Sequence, residues 1–104
     1  RDASAIKQAI VNLLLTNKGE KLMNPKYGSD IRSYLFEPLD YGTAARVRES
    51  ITYCITNFEP RVNVGEVQVF PDYDENGFAV EMTYQIRGTD DPPIAVEFFL
   101  ARTR

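Results

Sequence analysis

The hydrophobic period of this chain changes once, at residues 59–61, and that change limits the folds open to it. Up to Phe58 the apolar residues recur every three or four positions, as on one face of a helix. After Arg61 they alternate with polar residues, as in a strand with one buried face. Pro60 cannot continue a helix and favours an extended backbone before it, so it fixes the boundary. Helices followed by strands predict an α+β domain.

Two main helices are predicted before this boundary. The first has Asp2 or Ser4 as its candidate cap, a stop at residues 17–19, and an apolar face of Ile6, Ile10, Leu13 and Leu14. The second runs from Asp40 to Phe58, and its apolar stripe consists of Ala44, Val47, Ile51, Cys54, Ile55 and Phe58. Between them, residues 19–40 are too long a connection to lack structure. A short helix is expected there, capped by Ser29 or Asp30 and running through Leu35.

Three strands are predicted after the boundary. The alternating segments lie around Val67 and Val69, from Phe78 to Ile86, and from Ile94 to Leu100. Asn76-Gly77 predicts a hairpin turn, since both residue types tolerate positive φ. We therefore expect one domain over residues 1–104, with two main helices and a short one packed on an antiparallel sheet of at least three strands.

Composition excludes several classes of function. The chain has no histidine and one cysteine, so a histidine-based triad, a zinc site that needs histidine and an internal disulfide are excluded. Lysine and arginine are scattered and the net charge is −3, which leaves no basic stripe for a nucleic acid. No apolar run approaches the roughly 20 residues that span a bilayer. The sequence predicts no cofactor, no nucleic-acid partner and no membrane span.

Candidate catalytic carboxylates lie beside predicted turns, where active-site residues are often found. They are Glu20, Asp30, Glu59 and Asp72. With 15 acidic residues such pairs arise by chance, so surface charge and helix caps are the favoured interpretation. Cys54 has no candidate base and is predicted to be a core thiol. A calcium-loop fragment at 72–77 lacks its closing glutamate. Function is therefore expected in surfaces that bind partners.

Glu59 and Arg61 form the first surface that breaks a local rule. A glutamate at a helix C-terminus faces the negative end of the helix dipole, and such exceptions often serve a partner. On an extended backbone, with Pro60 fixing the bend, the two charges would project to one side about 7 Å apart. Alternatively, Arg61 simply neutralises the helix end or pairs with Glu59, and the residue types alone favour this alternative, because most surface charges contribute little.

The last strand is the second such surface. One face carries Ile94, Val96, Phe98 and Leu100. Phe99 makes the other face partly apolar too, which is typical of a strand covered on both faces. At the end of the chain it could be an edge strand that pairs with another subunit. Packing of Phe99 under the loop at 27–36 would explain the pattern equally well.

Four segments, in order, resemble the baseplate wedge family of contractile phages. They are Asn17-Lys18-Gly19-Glu20, Asn24-Pro25-Lys26-Tyr27-Gly28-Ser29-Asp30, Leu35-Phe36-Glu37 and Asn57-Phe58-Glu59-Pro60-Arg61-Val62. The family also contains the sheath-initiator subunits of type VI secretion baseplates and of related contractile particles. Each motif is weak alone, but the resemblance runs from the first helix to the last strand.

The resemblance implies a structural role, and the residues offer no catalytic motif, so no enzymatic activity is expected. Family members sit as a ring of six in the virion tail baseplate, assembled in the host cytoplasm, where they start sheath polymerisation by strand exchange with the tail sheath protein. The family signature, here Glu59, Pro60 and Arg61, contacts neighbouring wedge subunits, so the partner-binding interpretation of these charges becomes the preferred one. We expect the last strand to offer its backbone to the sheath, with Val96, Phe98, Phe99 and Leu100 as partner-binding residues.

Two alternatives remain. Members of the family have also been called lysozyme-like, which raises peptidoglycan hydrolysis, although no catalytic motif maps onto this chain. A regulatory adaptor could share the fold and bind a different cytoplasmic partner, because a fold alone does not determine function.

Overall fold

The computed structural model describes residues 3–16, Gly19 and residues 28–102. The elements in chain order are α1 Ala3–Leu15, α2 Ile31–Tyr34, α3 Tyr41–Phe58, β1 Val62–Asp72, β2 Gly77–Ile86 and β3 Ile94–Ala101. The predicted α+β class, with helices first and an antiparallel sheet of three strands afterwards, is confirmed. The candidate cap Asp2, the predicted stop at Asn17 and Lys18, and the motif residues Glu20 and 24–27 lie outside the described residues.

The two main helices bury the faces that their spacing predicts. The four apolar residues named for α1 are each at most 2% exposed. Ser4, a candidate cap, lies inside α1 instead. At the start of α3 the Asp40 carboxylate accepts a hydrogen bond from the Thr43 amide at 2.8 Å, and this bond lowers the pKa of Asp40. The predicted long helix is thereby confirmed, with Asp40 as its cap rather than its first residue.

Ser29 connects α2 to the end of α1. Asp30 occupies the N-cap position of α2, but its side chain makes no capping bond. The Ser29 hydroxyl takes that role, accepting a hydrogen bond from the Ile31 amide at 3.3 Å and donating one to the Leu14 carbonyl at 2.7 Å. One buried side chain thus satisfies backbone groups of two helices.

The sheet order is β1-β2-β3, and both pairings are antiparallel. Its inner face carries the cross-strand rows Val67-Met82-Val96 and Val69-Val80-Phe98, which pack with the helices into one core. The β1 register shifts between Val64 and Val67, a β-bulge that contains Gly65. A side chain at Gly65 would stand 2.5 Å from the Thr83 hydroxyl, which explains a glycine at this position.

The β1–β2 turn differs from the prediction in one respect. Asn76 has φ +56, as expected, but Gly77 does not have positive φ and is the first residue of β2. Glycine is required at position 77 for space. An added Cβ would lie 2.5 Å from the Leu100 carbonyl oxygen and closer still to the Phe99 ring.

Candidate assembly interface

Glu59, Pro60 and Arg61 form the turn between α3 and β1. The Glu59 amide donates a hydrogen bond to the Ile55 carbonyl at 2.9 Å, at the C-terminal end of α3. Pro60 and Arg61 then turn the chain, and the Arg61 carbonyl accepts a hydrogen bond from the Arg87 amide at 2.8 Å as the sheet begins. The backbone of this signature is therefore fixed on both sides, by the last helical turn and by the first pairing of the sheet.

The side chains of Glu59 and Arg61 make a bidentate ion pair. Arg61 Nε lies 2.6 Å from Glu59 Oε2, and Arg61 Nη2 lies 2.8 Å from Glu59 Oε1. The expectation that the two charges project separately, about 7 Å apart on an extended backbone, is therefore wrong. Residues 60 and 61 form a turn rather than an extended segment, and the turn folds the guanidinium back onto the carboxylate.

The two partners of this pair differ in exposure. The Glu59 side chain is 7% exposed and the Arg61 side chain 49% exposed. Hydrogen bonds from Arg61 lower the pKa of Glu59, and hydrogen bonds to Glu59 raise the pKa of Arg61. Two of the five guanidinium N–H donors are used by the carboxylate, so the others remain for a partner. The signature thus presents one oriented cation to solvent.

The strand β3 is an edge of the sheet. Among the described strands it pairs with β2 alone, so its second side has no strand partner. The Arg102 amide donates to the Asn76 carbonyl at 3.0 Å, which continues the β2–β3 register by one pair. Hydrogen-bonded and non-hydrogen-bonded pairs alternate along an antiparallel ladder. The outward backbone groups therefore belong to Ala95, Glu97, Phe99 and Ala101.

The predicted partner-binding side chains of β3 lie on two faces. Val96 and Leu100 are at most 4% exposed and belong to the core, and Phe98 is half-buried on the same inner face. A partner strand beside β3 would therefore pair with the backbone of the outward residues and would not meet the side chains of Val96 and Leu100. Phe99 lies on the outer face, 43% exposed, with its ring over Gly77.

The structure also places the candidate chemical groups. Asp30 lines a shallow depression with Arg46 and Tyr53, Glu59 is occupied by Arg61, and Asp72 lies at the end of β1. Glu20 is outside the described residues. Cys54 is buried, as predicted for a core thiol, and donates to the Gly28 carbonyl at 2.7 Å. The described acidic and sulfur-bearing side chains form no group that could hold a metal ion.

The outer face of the sheet is a candidate site that sequence patterns did not indicate. Alternation alone shows that Glu81 and Glu97 point away from the core, but not that they face each other. That pairing depends on the register, which places Gln68, Glu81 and Glu97 in one row.

Over the described residues, no helix has the length and apolar character needed to cross a bilayer.

Comparison with known proteins connects this fold to contractile tails. The family described as baseplate wedge protein gp25 matches residues 1–91. The chain is 30% identical over 97 residues to the baseplate wedge protein gp25 of Enterobacteria phage T4, covering 93% of this chain and 74% of that protein.

Solved structures share the fold. A crystal structure of a protein named as a tail lysozyme, from Geobacter sulfurreducens, superposes with a TM-score of 0.80 at 22% identity, covering 97% of this chain and 93% of that one. The cryo-EM baseplate of the anti-feeding prophage contains a chain with a TM-score of 0.74 at 26% identity, covering 86% and 72%. The post-contraction baseplate of pyocin R2 contains another, at 0.62 and 22%, covering 97% and 88%. The chain belongs to the gp25 family of baseplate wedge proteins, structural components of contractile tails and related particles.

Proposed function

We propose that this wedge protein starts the tail sheath by pairing its β3 edge with a strand of the sheath protein, while Arg61 attaches it to neighbouring wedge subunits. The observation that carries the proposal is the unpaired side of β3, eight residues long, in a sheet otherwise fixed to the helices. An open edge is the surface on which an incoming strand gains main-chain hydrogen bonds. We further propose six copies in each baseplate.

The Glu59–Arg61 pair supports the second half of this proposal. A guanidinium already held by a carboxylate loses little side-chain freedom on binding, which favours affinity. Its remaining donors suit carbonyl or carboxylate groups of a partner. Pro60 keeps the turn rigid, so the cation has one direction relative to the sheet.

We also propose that the chain has no enzymatic activity, although a structural relative is named as a tail lysozyme. The described candidate carboxylates do not share one cavity, and Glu59 is engaged by Arg61. Glycoside hydrolysis needs two carboxyl groups on either side of one bond. A turbidity assay on cell walls, with Asp30, Glu59 and Asp72 replaced in turn, tests this. Clearing that disappears with one replacement would restore the enzymatic alternative.

Two backbone variants test strand pairing directly. Ala95→Pro with Ala101→Pro removes two outward N–H donors without removing a bond to β2, since proline is tolerated on a solvent-facing edge. The matched control, Ala95→Val with Ala101→Val, keeps both donors. Tails imaged by electron microscopy should show bare tubes on complete baseplates with the proline variant and normal sheaths with the control. Normal sheaths on the proline variant would refute strand pairing at β3.

Wedge attachment is tested separately. Arg61→Ala should reduce incorporation into baseplates at least tenfold, whereas Arg48→Ala, which removes an exposed arginine of α3, should not. Co-sedimentation with purified baseplates measures both. If the Arg61→Ala and Glu59→Ala proteins assemble normally, the proposed role of the signature is wrong.

A further inference from the structure

The outer face of the sheet is uncovered in the described structure. The helices contact β1 and the core, so all of them lie on the other side. The outward residues of the three strands are Asn63, Glu66, Gln68, Phe70, Asp72, Gly77, Ala79, Glu81, Thr83, Gln85, Ala95, Glu97, Phe99 and Ala101. None of them is lysine or arginine, although the chain has 12 such residues. This face therefore has one sign of charge.

Three carboxylates lie next to one another on this face. The register places Glu81 directly opposite Glu97, with Gln68 completing the row on β1. Glu66 belongs to the same shallow depression and accepts a hydrogen bond from the Gln68 amide at 3.2 Å. Like charges directly opposite in a sheet destabilise it. Within the described residues, neither Glu81 nor Glu97 has an ion-pair partner.

An apolar row adjoins the acidic one. Phe70, Ala79 and Phe99 lie side by side across the three strands, with both rings more than 40% exposed. Because the alanine side chain is small, Ala79 leaves a notch on the surface between the rings of Phe70 and Phe99. Exposed aromatic residues around such a notch suit one large apolar side chain of a partner.

We infer that this face docks a cationic amphipathic helix of another baseplate protein. The two rows span three strands, about 10 Å, and about 7 Å along them, close to the width of one helix. Lysine or arginine residues on one side of the helix would neutralise Glu81 and Glu97, and an apolar residue would enter the Phe70–Phe99 notch. The described carboxylates form no metal-binding group, which argues against a metal ion as the counter-charge.

This inference rests on the proposed function only in taking the partner from the baseplate. It uses a face of the sheet, whereas the proposed sheath contact uses an edge and the proposed wedge contact uses Arg61. A Glu81 variant leaves both of those surfaces unchanged, since Glu81 belongs to the central strand.

Charge reversal is the first part of the test. Glu81→Lys should reduce incorporation into purified baseplates at least tenfold, and Glu49→Lys, an equal change of charge on the exposed surface of α3, should not. Glu81→Gln with Glu97→Gln should weaken incorporation while leaving the isolated protein as stable as the wild type or more stable, because a repulsion has been removed. Normal incorporation of these variants, alongside failure of Arg61→Ala, would overturn the inference and leave the proposed function intact.

Cross-linking identifies the occupant. Phe70, which lies on the strand furthest from β3, is replaced by the photo-reactive residue p-benzoylphenylalanine, whose side chain is also aromatic. In the control, Tyr53 of α3 is replaced by the same residue. Irradiated baseplates should give an adduct at position 70 with a lysine- or arginine-rich helical segment of another subunit. An adduct with a second copy of this chain, with an acidic or extended segment, or no adduct above the control would overturn the inference.

Discussion

The chain offers two glycines at which the same substitution should have opposite effects on stability. Gly77→Ala places a methyl group against the Phe99 ring and 2.5 Å from the Leu100 carbonyl oxygen. Gly42→Ala, in the first turn of α3, places it 3.5 Å from the Asp40 carboxylate, an ordinary contact in a helix. Both replacements reduce the freedom of the unfolded chain, which by itself stabilises by about 0.4–1 kcal/mol.

At position 77 the packing cost exceeds that gain. Forcing an extra carbon into a filled site costs about 1–3 kcal/mol, because neighbouring groups have to move. The ring of Phe99 can rotate away, but the Leu100 carbonyl is part of the β2–β3 ladder and cannot move alone. With mid-range values for the packing cost and for the gain from the unfolded chain, Gly77→Ala should lower the free energy of unfolding by roughly 1.3 kcal/mol. For a domain of this size the melting temperature should fall by about 5–10 °C.

The assay is urea unfolding of both variants, read by circular dichroism, with unchanged m-values as the sign that the folded state is intact. Gly42→Ala should raise the free energy of unfolding by about 0.5 kcal/mol or more. Gly77→Ala in a Phe99→Ala background should recover only part of its loss, since the carbonyl contact remains. Stabilisation by Gly77→Ala, or complete recovery without the ring, would refute this reasoning.

Three further predictions concern buried groups. Tyr84→Phe should leave stability unchanged or raise it by up to about 1 kcal/mol in urea unfolding, because the Tyr84 hydroxyl is buried without a partner among the described residues. The pKa of Glu59 is below its ordinary value of 4.5, so the stability from its pair is present above that pH and lost as pH falls through the folded-state pKa. The advantage of wild type over Glu59→Gln should therefore shrink as the pH falls below about 4.5 in acid unfolding. Cys54 should react with a thiol reagent only at the rate of unfolding, since it is buried; fast reaction in the native protein would contradict its place in the core.

The parts of the fold that could be predicted are those that the spacing of apolar side chains along the chain determines. The apolar stripe of α3 and its end before Pro60 depend on neighbours within a few positions, and both were predicted. The start of β1 at Val62 was less clear, because the bulge at Gly65 interrupts the alternation of the strand. The spacing of apolar residues within a segment predicts a helix or a strand, whereas a bulge depends on how that strand pairs with its neighbour.

The candidate site was less predictable than the fold. The Glu59–Arg61 pair depends on the turn at residues 60 and 61, and a sequence permits either an extended or a turned backbone there. The row of Gln68, Glu81 and Glu97 depends on the register of three strands, which the sequence did not provide. The distinction between the core residue Val96 and the outward backbone of Glu97 likewise required the sheet.

The bulge in β1 makes the two borders of the sheet unequal. On β3 the backbone alternates regularly over eight residues, whereas β1 loses its regular spacing at Gly65. If β3 of a second copy lay against β1, the hydrogen bonds of the two strands would not match, so copies of this protein are not expected to pair edge to edge. In the proposed function, strands would therefore add at β3 and not at β1. Such a subunit would begin a polymer of a different protein at high local concentration without forming one of its own.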